Sequence, residues 1–474
     1  MIRILVILFL GLHGCFAATQ IQAQSATPNI LLILTDDLGW SDLSCYGSTF
    51  YETPNIDRLA SQGMRFTDAY AAASVCSPTR AAVLTGKTPA RLHLTDFIAG
   101  LDYPYAALTP PPDWTRYLPH EEVTLAEMLK QAGYETFHFG KWHLGREKHF
   151  PVTQGFDYSI AQTASGGPGG YFYPWKNVTD LPGKKGDYLT DRLTDVVIKS
   201  LERSHDQPFF MYLAYFTPHR PTQAKEEHVQ KYEAKLSPEH VQRSPKNAGM
   251  IHSLDENVGR IMQSLENLQL ADNTLLIFAS DNGGNHYADR PQKTNNAPLR
   301  DGKGAVYEGA YRVPLIVRWP GRVPAGTVTD EITSSIDFYP TLQAASGQEQ
   351  QSNQEIDGIS LLPVLLEEQP LGREVLYWHY PHYHHGGASP HGVIRKGQYR
   401  FIERFDGTQA ELYDIENDIG ETVNLVYSMP EKTKELREQL QQWRNDVGAQ
   451  MPSINPNYDA ARMHEWKFFL KTNW

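Results

Sequence analysis

Apolar residues run unbroken through Asn29-Ile30-Leu31-Leu32-Ile33-Leu34-Thr35 and stop at two carboxylates, Asp36 and Asp37. A continuous apolar run closed by polar groups is the pattern of a strand buried on both faces of a parallel sheet. Three more runs share this character: Thr136 to Gly140, Phe209 to Tyr215 and Thr274 to Ala279. Before them lie Thr124 to Gln131, Tyr188 to Arg203 and Gly249 to Leu268, in which apolar residues return at the helical spacing of three and four. Strands alternating with helices predict an α/β fold with a large, mostly parallel central sheet flanked by helices. Ligands of such sheets bind outside the carboxyl ends of the strands. There the chain places Asp36-Asp37, Lys141-Trp142-His143, Thr217-Pro218-His219 and Asp281-Asn282.

The pattern changes after Ser346, where a polar stretch from Gly347 to Gln354 reads as a loop. From about Gly372 short strand-like pieces follow, such as Glu374 to Trp378 and Tyr399 to Ile402, with one helical stretch from Pro430 to Trp443. They predict a smaller C-terminal lobe of antiparallel sheet plus helix. The chain thus divides into an N-terminal leader over 1–24, a catalytic α/β domain over 25–371 and a C-terminal α+β subdomain over 372–474.

The leader carries Arg3, an apolar run from Ile4 to Leu12 and small residues between Cys15 and Ala18. That is a secretory signal peptide, its apolar run too short for the roughly 20 residues a membrane span needs. Export to a periplasm or the medium is expected, with lipid anchoring through Cys15 as the alternative. Beyond the leader only Cys45 and Cys76 remain, so no disulfide framework is implied. A net charge of -12 with no basic stripe argues against a nucleic-acid partner.

Asp36, Asp37, Asp281 and Asn282 are hard oxygen donors at two strand ends, a set that suits calcium better than zinc. Their plain structural alternative is a helix cap and a turn. Cys76-Ser77-Pro78-Thr79-Arg80, ahead of the helix-like stretch Ala81 to Gly86, reads by itself as a packed cysteine at a helix start.

Set together, these motifs are more specific. Thr35 to Gly39, the Cys76 pentapeptide, Gly140 to Gly145, Thr217-Pro218-His219, Ser280 to Gly283 and Gly302-Lys303-Gly304 through Gly309 resemble, in order, the motifs of type I sulfatases of the alkaline-phosphatase-like superfamily. In that family a dedicated formylglycine-generating enzyme oxidises the motif's cysteine to Cα-formylglycine. The resemblance implies that position 76, as the hydrated aldehyde, is the nucleophile. Arg80 would hold that group. Lys141 and Lys303 would bind sulfate oxygens, His219 would be the general acid, and His143 would deprotonate the second hydroxyl and so expel sulfate. Asp281 is a further candidate for proton removal. A single calcium ion would be held by Asp36, Asp37, Asp281, Asn282 and the oxygen at position 76. Trp142 reads as packing, and Glu308 as an orienting partner of Lys303 or Arg312 or as a structural ion pair.

A histidine-rich segment, His379, His382, His384, His385 and His391, is followed by Arg395. With no clear pairing to carboxylates it is a poor metal site. The expectation is that it reaches the pocket from the C-terminal lobe, with His382, His384, His385 or Arg395 contacting the sugar; a polar surface loop is the alternative. The resulting reading is an exported sulfatase acting on a sulfated carbohydrate. Its rivals are a phosphodiesterase or phosphonate hydrolase of the same superfamily and a catalytically silent glycan-binding protein.

Overall fold

The computed structural model describes residues 27–203, 205–286, 294–349, 354–367 and 369–469. The leader, with Cys15, lies outside them. Eight strands form the main sheet: β1 (Asn29–Asp36), β2 (Met64–Phe66), β3 (Glu135–Gly140), β4 (Tyr158–Ile160), β5 (Phe209–Pro218), β6 (Thr274–Ser280), β7 (Leu315–Arg318) and β8 (Thr327–Thr329). Their order across the sheet is β8-β2-β7-β6-β1-β5-β3-β4. Only β7 runs antiparallel to its neighbours. The four strands expected from the apolar runs are therefore the four adjacent central ones, β6-β1-β5-β3.

Alternation along β1 explains why its sequence is apolar throughout. Leu31 and Ile33 pack on one face with Met211, Leu213, Leu276 and Phe278. Ile30, Leu32 and Leu34 pack on the other with Phe210, Tyr212, Leu275 and Ile277. Both faces are covered by helices, so neither side of the strand accepts a polar group.

One short helix carries the pentapeptide. Helix α1 (Pro54–Ser61) is followed by α2 (Cys76–Thr85), which starts at Cys76 itself and ends at Gly86 in the left-handed conformation, φ 69°. The pentapeptide thus lies inside the helix, not ahead of it. Pro78, in the first turn, requires no hydrogen-bonded N–H there, and all ten residues of the helix are buried. Arg80, one turn into that helix, is wholly buried as well. Cys45 and Cys76 are both free thiols, not a pair.

The expected C-terminal lobe is a four-stranded antiparallel sheet, β9 (Val375–Tyr380), β10 (His391–Lys396), β11 (Tyr399–Arg404) and β12 (Glu411–Asp414), in sequential order. A helix over Pro430–Asp446 covers one face through Leu436 and Leu440. The other face, with Trp378, Val393 and Ile402, packs on Tyr70, Val306 and Tyr311 of the first lobe. The tail then leaves this lobe. Ser453–Ile454 pairs with Leu108–Thr109 and Lys467–Phe468 with Leu101–Asp102, returning the chain to the first lobe.

Buried charges rivet the two lobes. Arg400 reaches Glu308 at 3.2 Å and also pairs with Glu421, all three fully buried. Glu308 further meets Arg312 at 3.5 Å and accepts from the Tyr70 hydroxyl at 2.8 Å. Its partners are thus arginines, not Lys303. Replacing one member of such a network leaves an uncompensated buried charge. The Arg400→Met variant is expected to lose roughly 3–5 kcal/mol of unfolding free energy, measured by urea denaturation; a loss below about 1 kcal/mol would remove the network from the account of lobe docking.

Candidate active site

The ends of β1, β3, β5 and β6 bring Asp36, Asp37, Lys141, His143, His219, Asp281 and Asn282 to one place, and α2 inserts Cys76 and Arg80 among them. Lys303 arrives from the loop before Glu308. Three carboxylates and three cations share the cluster, none more than 6% exposed. Lys141 Nζ lies 2.7 Å from Asp36 Oδ2, and Lys303 Nζ 2.6 Å from Asp37 Oδ1. Arg80 grips Asp281 Oδ2 through Nε at 2.9 Å and donates to the Lys141 carbonyl at 3.2 Å. Lys303 Nζ also lies 3.6 Å from the Cys76 sulfur.

The carboxylates are tied to one another through the backbone. Asp37 N–H donates to Asp281 Oδ1 at 3.2 Å, and Asn282 Nδ2 donates to Asp37 Oδ1 at 2.9 Å. Ser280 Oγ accepts from Leu38 N–H at 3.0 Å and donates to the Asn282 carbonyl, locking the ends of β1 and β6 together. Asp37 and His143 are both held in the left-handed region, φ 66° and 58°. For residues other than glycine such a conformation costs about 1–2 kcal/mol and persists only where the surroundings impose it.

Burial pushes the Asp36 carboxyl well above its ordinary range; Lys141 opposes this, while Asp281 and Asp37 reinforce it. Burial also acts to raise Asp37, but Lys303, His219 and Lys141 override it and hold this carboxyl below the usual range. Two buried oxygens in the cluster, Asp36 Oδ1 and Asn282 Oδ1, have no hydrogen-bond partner. Orphaned oxygens beside three carboxylates fit a hard divalent cation. Asp36, Asp281 and Cys76 also offer ligand atoms within 4.8 Å of one another.

The two histidines are oriented oppositely. His219 Nδ1 bonds the Arg220 carbonyl at 2.8 Å, leaving Nε2 toward Asp37 Oδ2 at 3.8 Å. His143 Nε2 bonds the Ile98 carbonyl, leaving Nδ1 buried with no partner. Burial, with Lys141 for His143 and Lys303 for His219, pushes both imidazoles well below their ordinary pKa. Trp142 is 1% exposed and donates to the His149 carbonyl, so it packs.

A family model described as Sulfatase matches residues 28–347. The chain belongs to the sulfatase family. A second model, N-sulphoglucosamine sulphohydrolase, C-terminal, matches residues 301–447. A sulfatase of Formosa agariphila is 35% identical over 85% of this chain and 85% of its own length. The N-acetylgalactosamine-6-sulfatase of Sus scrofa is 35% identical over 76% of this chain and 70% of its own. Among solved structures, Ps i-CgsB in complex with k-i-k-neocarrahexaose superposes with a TM-score of 0.73 at 30% identity, covering 92% of this chain and 96% of that one. This sulfatase is therefore a sulfuric ester hydrolase, which sets aside a silent binding protein.

The histidine-rich segment divides. His384 belongs beside the site: the Ala388 N–H donates to the Gly304 carbonyl at 3.0 Å, joining its loop to the Lys303 turn. Gly304, φ 71°, has no room for a side chain, because a Cβ would lie 1.8 Å from His384 Nδ1. His385 stacks on His384 with centroids 4.3 Å apart and on Trp466 at 5.3 Å. His382 corrects the expectation. It is fully buried, bonded to Thr95 Oγ1 at 2.8 Å and set edge-on against Trp114, a core histidine. Arg395 is a second correction. Its guanidinium is occupied by Asp68, the Tyr70 hydroxyl and the Gly397 carbonyl at the lobe junction.

Two features escaped the sequence reading. Asn285 donates to Asp37 Oδ2 at 2.7 Å. The glycine-rich loop Ser165-Gly166-Gly167-Pro168-Gly169-Gly170 lies against both histidines: a Cβ on Gly166 would fall 3.0 Å from His143 Cε1, and one on Gly167 3.0 Å from His219 Nδ1. Its density of glycines was the available signal. The Gly167→Ala variant should displace the His219 ring by a few tenths of an ångström, lowering kcat about tenfold or more with melting temperature unchanged. Steady-state kinetics alongside thermal denaturation checks this; unaltered kcat would mean the loop does not position the histidine.

Proposed function

We propose that this sulfatase is an exported, calcium-dependent enzyme that hydrolyses a sulfate ester on a sulfated carbohydrate through a formylglycine made from Cys76. The observation that carries the reading is the buried cluster itself, with its two orphaned oxygens and the Cys76 sulfur beside Lys303. Asp36, Asp37, Asp281 and Asn282 would hold the ion, which when bound supplies positive charge for an anionic sulfate and for the nucleophile's oxygen. Formylglycine, once installed by its maturation enzyme, supplies that oxygen nucleophile at position 76.

The remaining roles follow from what each side chain faces. The three carboxylates and three cations cancel in formal charge, so a divalent cation leaves the pocket with a surplus of two positive charges. Lys141 and Lys303 hold ammonium groups where water is excluded, stabilising negative charge on sulfate oxygens. His219, its Nδ1 engaged with a carbonyl, presents Nε2 to the pocket; once protonated there beside the anionic sulfate and Asp37, it would give that proton to the departing alcohol oxygen. His143 keeps an unpartnered basic nitrogen on the buried side, suited to removing a proton from the group at position 76 so that sulfate departs. Arg80 holds Asp281 and neutralises it. The balanced reaction is R-O-SO3⁻ plus water giving R-OH, sulfate and a proton.

The carbohydrate preference is supported by the similarity to the N-acetylgalactosamine-6-sulfatase of Sus scrofa, and by a surface of this chain. From Lys303-Gly304 outward, His384, His385 and Trp466 form a stacked aromatic series, ending in an indole that is 43% exposed. Stacked rings beside a charged pocket suit the apolar face of a pyranose next to its sulfate.

Mass spectrometry of the peptide containing residue 76, from a host with the maturation enzyme, should find the aldehyde in place of the thiol. Cys76→Ala should then abolish turnover with the fold retained, and wild-type turnover should be lost in chelator and restored by calcium. Unmodified cysteine in fully active enzyme would overturn the mechanism. Trp466→Ala should lower kcat/KM about fivefold on a sulfated oligosaccharide, equivalent to ~1 kcal/mol of lost contact, and leave a small aryl sulfate unaffected. Equal effects on both substrates would remove Trp466 from sugar recognition.

A further inference from the structure

Between His219 and Asp281 in the chain, helices α5 (Glu226–Lys235) and α6 (Pro245–Asn267) bring His228, His252 and Glu256 together, with α3 (Leu125–Gln131) and α4 (Leu189–Leu201) preceding them. His252 and Glu256 are one helical turn apart on α6, and His228 faces them from α5. The His228 and His252 rings meet with centroids 4.4 Å apart. His228 Nε2 lies 3.5 Å and His252 Nε2 3.7 Å from the same oxygen, Glu256 Oε1. These separations are too long for good hydrogen bonds. They are close to the edge of a coordination tetrahedron, about 3.3 Å for metal bonds of ~2.0–2.1 Å.

The far nitrogens are already engaged by hydroxyls. His228 Nδ1 lies 3.1 Å from Ser253 Oγ, and that hydroxyl donates to the Gly249 carbonyl, so it accepts from Nδ1. In the neutral ring this leaves the Nε2 lone pair aimed at a carboxylate oxygen. His252 Nδ1 lies 3.1 Å from the Tyr232 hydroxyl, which also accepts from the Glu52 N–H at 3.2 Å, and its Nε2 is turned toward Glu256. A second hydrogen bond at the outer nitrogen is what orients histidine ligands in metal sites. Lys225 Nζ lies 3.6 Å from the other Glu256 oxygen, Oε2, and so leaves Oε1 to the histidines.

We propose that His228, His252 and Glu256 form a zinc site that staples α5 to α6, with the fourth position open to water. It is separate from the oxygen-only cluster at the strand ends, whose donor set suits a harder ion. The reaction at position 76 does not require it. Its role is structural, fixing α5 against the long helix whose Leu254, Val258 and Ile261 pack in the core on one face of the main sheet.

The test uses the whole exported protein, stripped with chelator and returned to calcium. Cobalt(II), as a spectroscopic stand-in for zinc, should give a saturable visible absorption band of tetrahedral intensity at one equivalent, displaced by zinc. Zinc at hundredfold excess over its Kd should raise the melting temperature by roughly 3 °C. Both signals should vanish in Glu256→Gln, a half-exposed position whose replacement leaves the fold intact, and in His252→Gln, while sulfatase turnover with calcium stays unchanged. Absence of a saturable band in the wild-type protein, or a band that persists in both variants, would overturn the site.

Discussion

Six buried charges in one place are the constraint around which this molecule is organised. Asp36, Asp37 and Asp281 cannot sit together out of water unless opposite charge is brought to them, and Arg80, Lys141 and Lys303 bring it. The six come from five places in the chain, so the cluster is satisfied only when β1, β3, β6, α2 and the Lys303 loop are all in register. Two residues outside the usual backbone regions, Asp37 and His143, are held there by the same convergence. The favourable burial of the apolar strands supplies what the charges cost. Asp36 Oδ1 and Asn282 Oδ1 remain without hydrogen-bond partners inside the cluster.

How much of this was legible in the sequence depended on locality. The four central strands announced themselves because both faces are buried, which makes every residue apolar, and their polar exits therefore marked the pocket. Asp36, Asp37, Lys141, His143, His219, Asp281 and Asn282 were all found this way. Short strands left no such mark. Lys467–Phe468 and Ser453–Ile454 pair with segments some 350 residues earlier, and nothing in two residues specifies that partner. The tail was accordingly assigned to the C-terminal lobe when it returns to the first, bringing Trp466 against His385.

The histidine-rich segment failed for a different reason. Proximity in sequence suggested one surface, yet a strand and hairpin send consecutive side chains to different environments. His382 entered the core beside Thr95 and Trp114, Arg395 turned to Asp68 at the lobe junction, and His384 and His385 alone reached the pocket side. Composition could count these residues but could not sort them. The glycines of the loop over 165–170 were likewise visible as glycines. Their close approach to His143 and His219 required the fold.

The division of labour between lobes follows from the same geometry. The buried charges around Cys76 are carried by strand ends, one helix and the Lys303 loop of the first lobe, where a displaced charge would disturb the whole cluster. The C-terminal lobe touches that cluster through one narrow seam, the Lys303-Gly304 turn bonded to the loop of His384, and is fixed behind it by the Arg400–Glu308–Glu421 network. His384 is buried in that seam with His385 stacked on it, while Trp466, the exposed end of the series, comes from the tail that has returned to the first lobe. Gly304 keeps the seam tight, because a Cβ there would fall 1.8 Å from His384 Nδ1 and push that ring off the Lys303 turn.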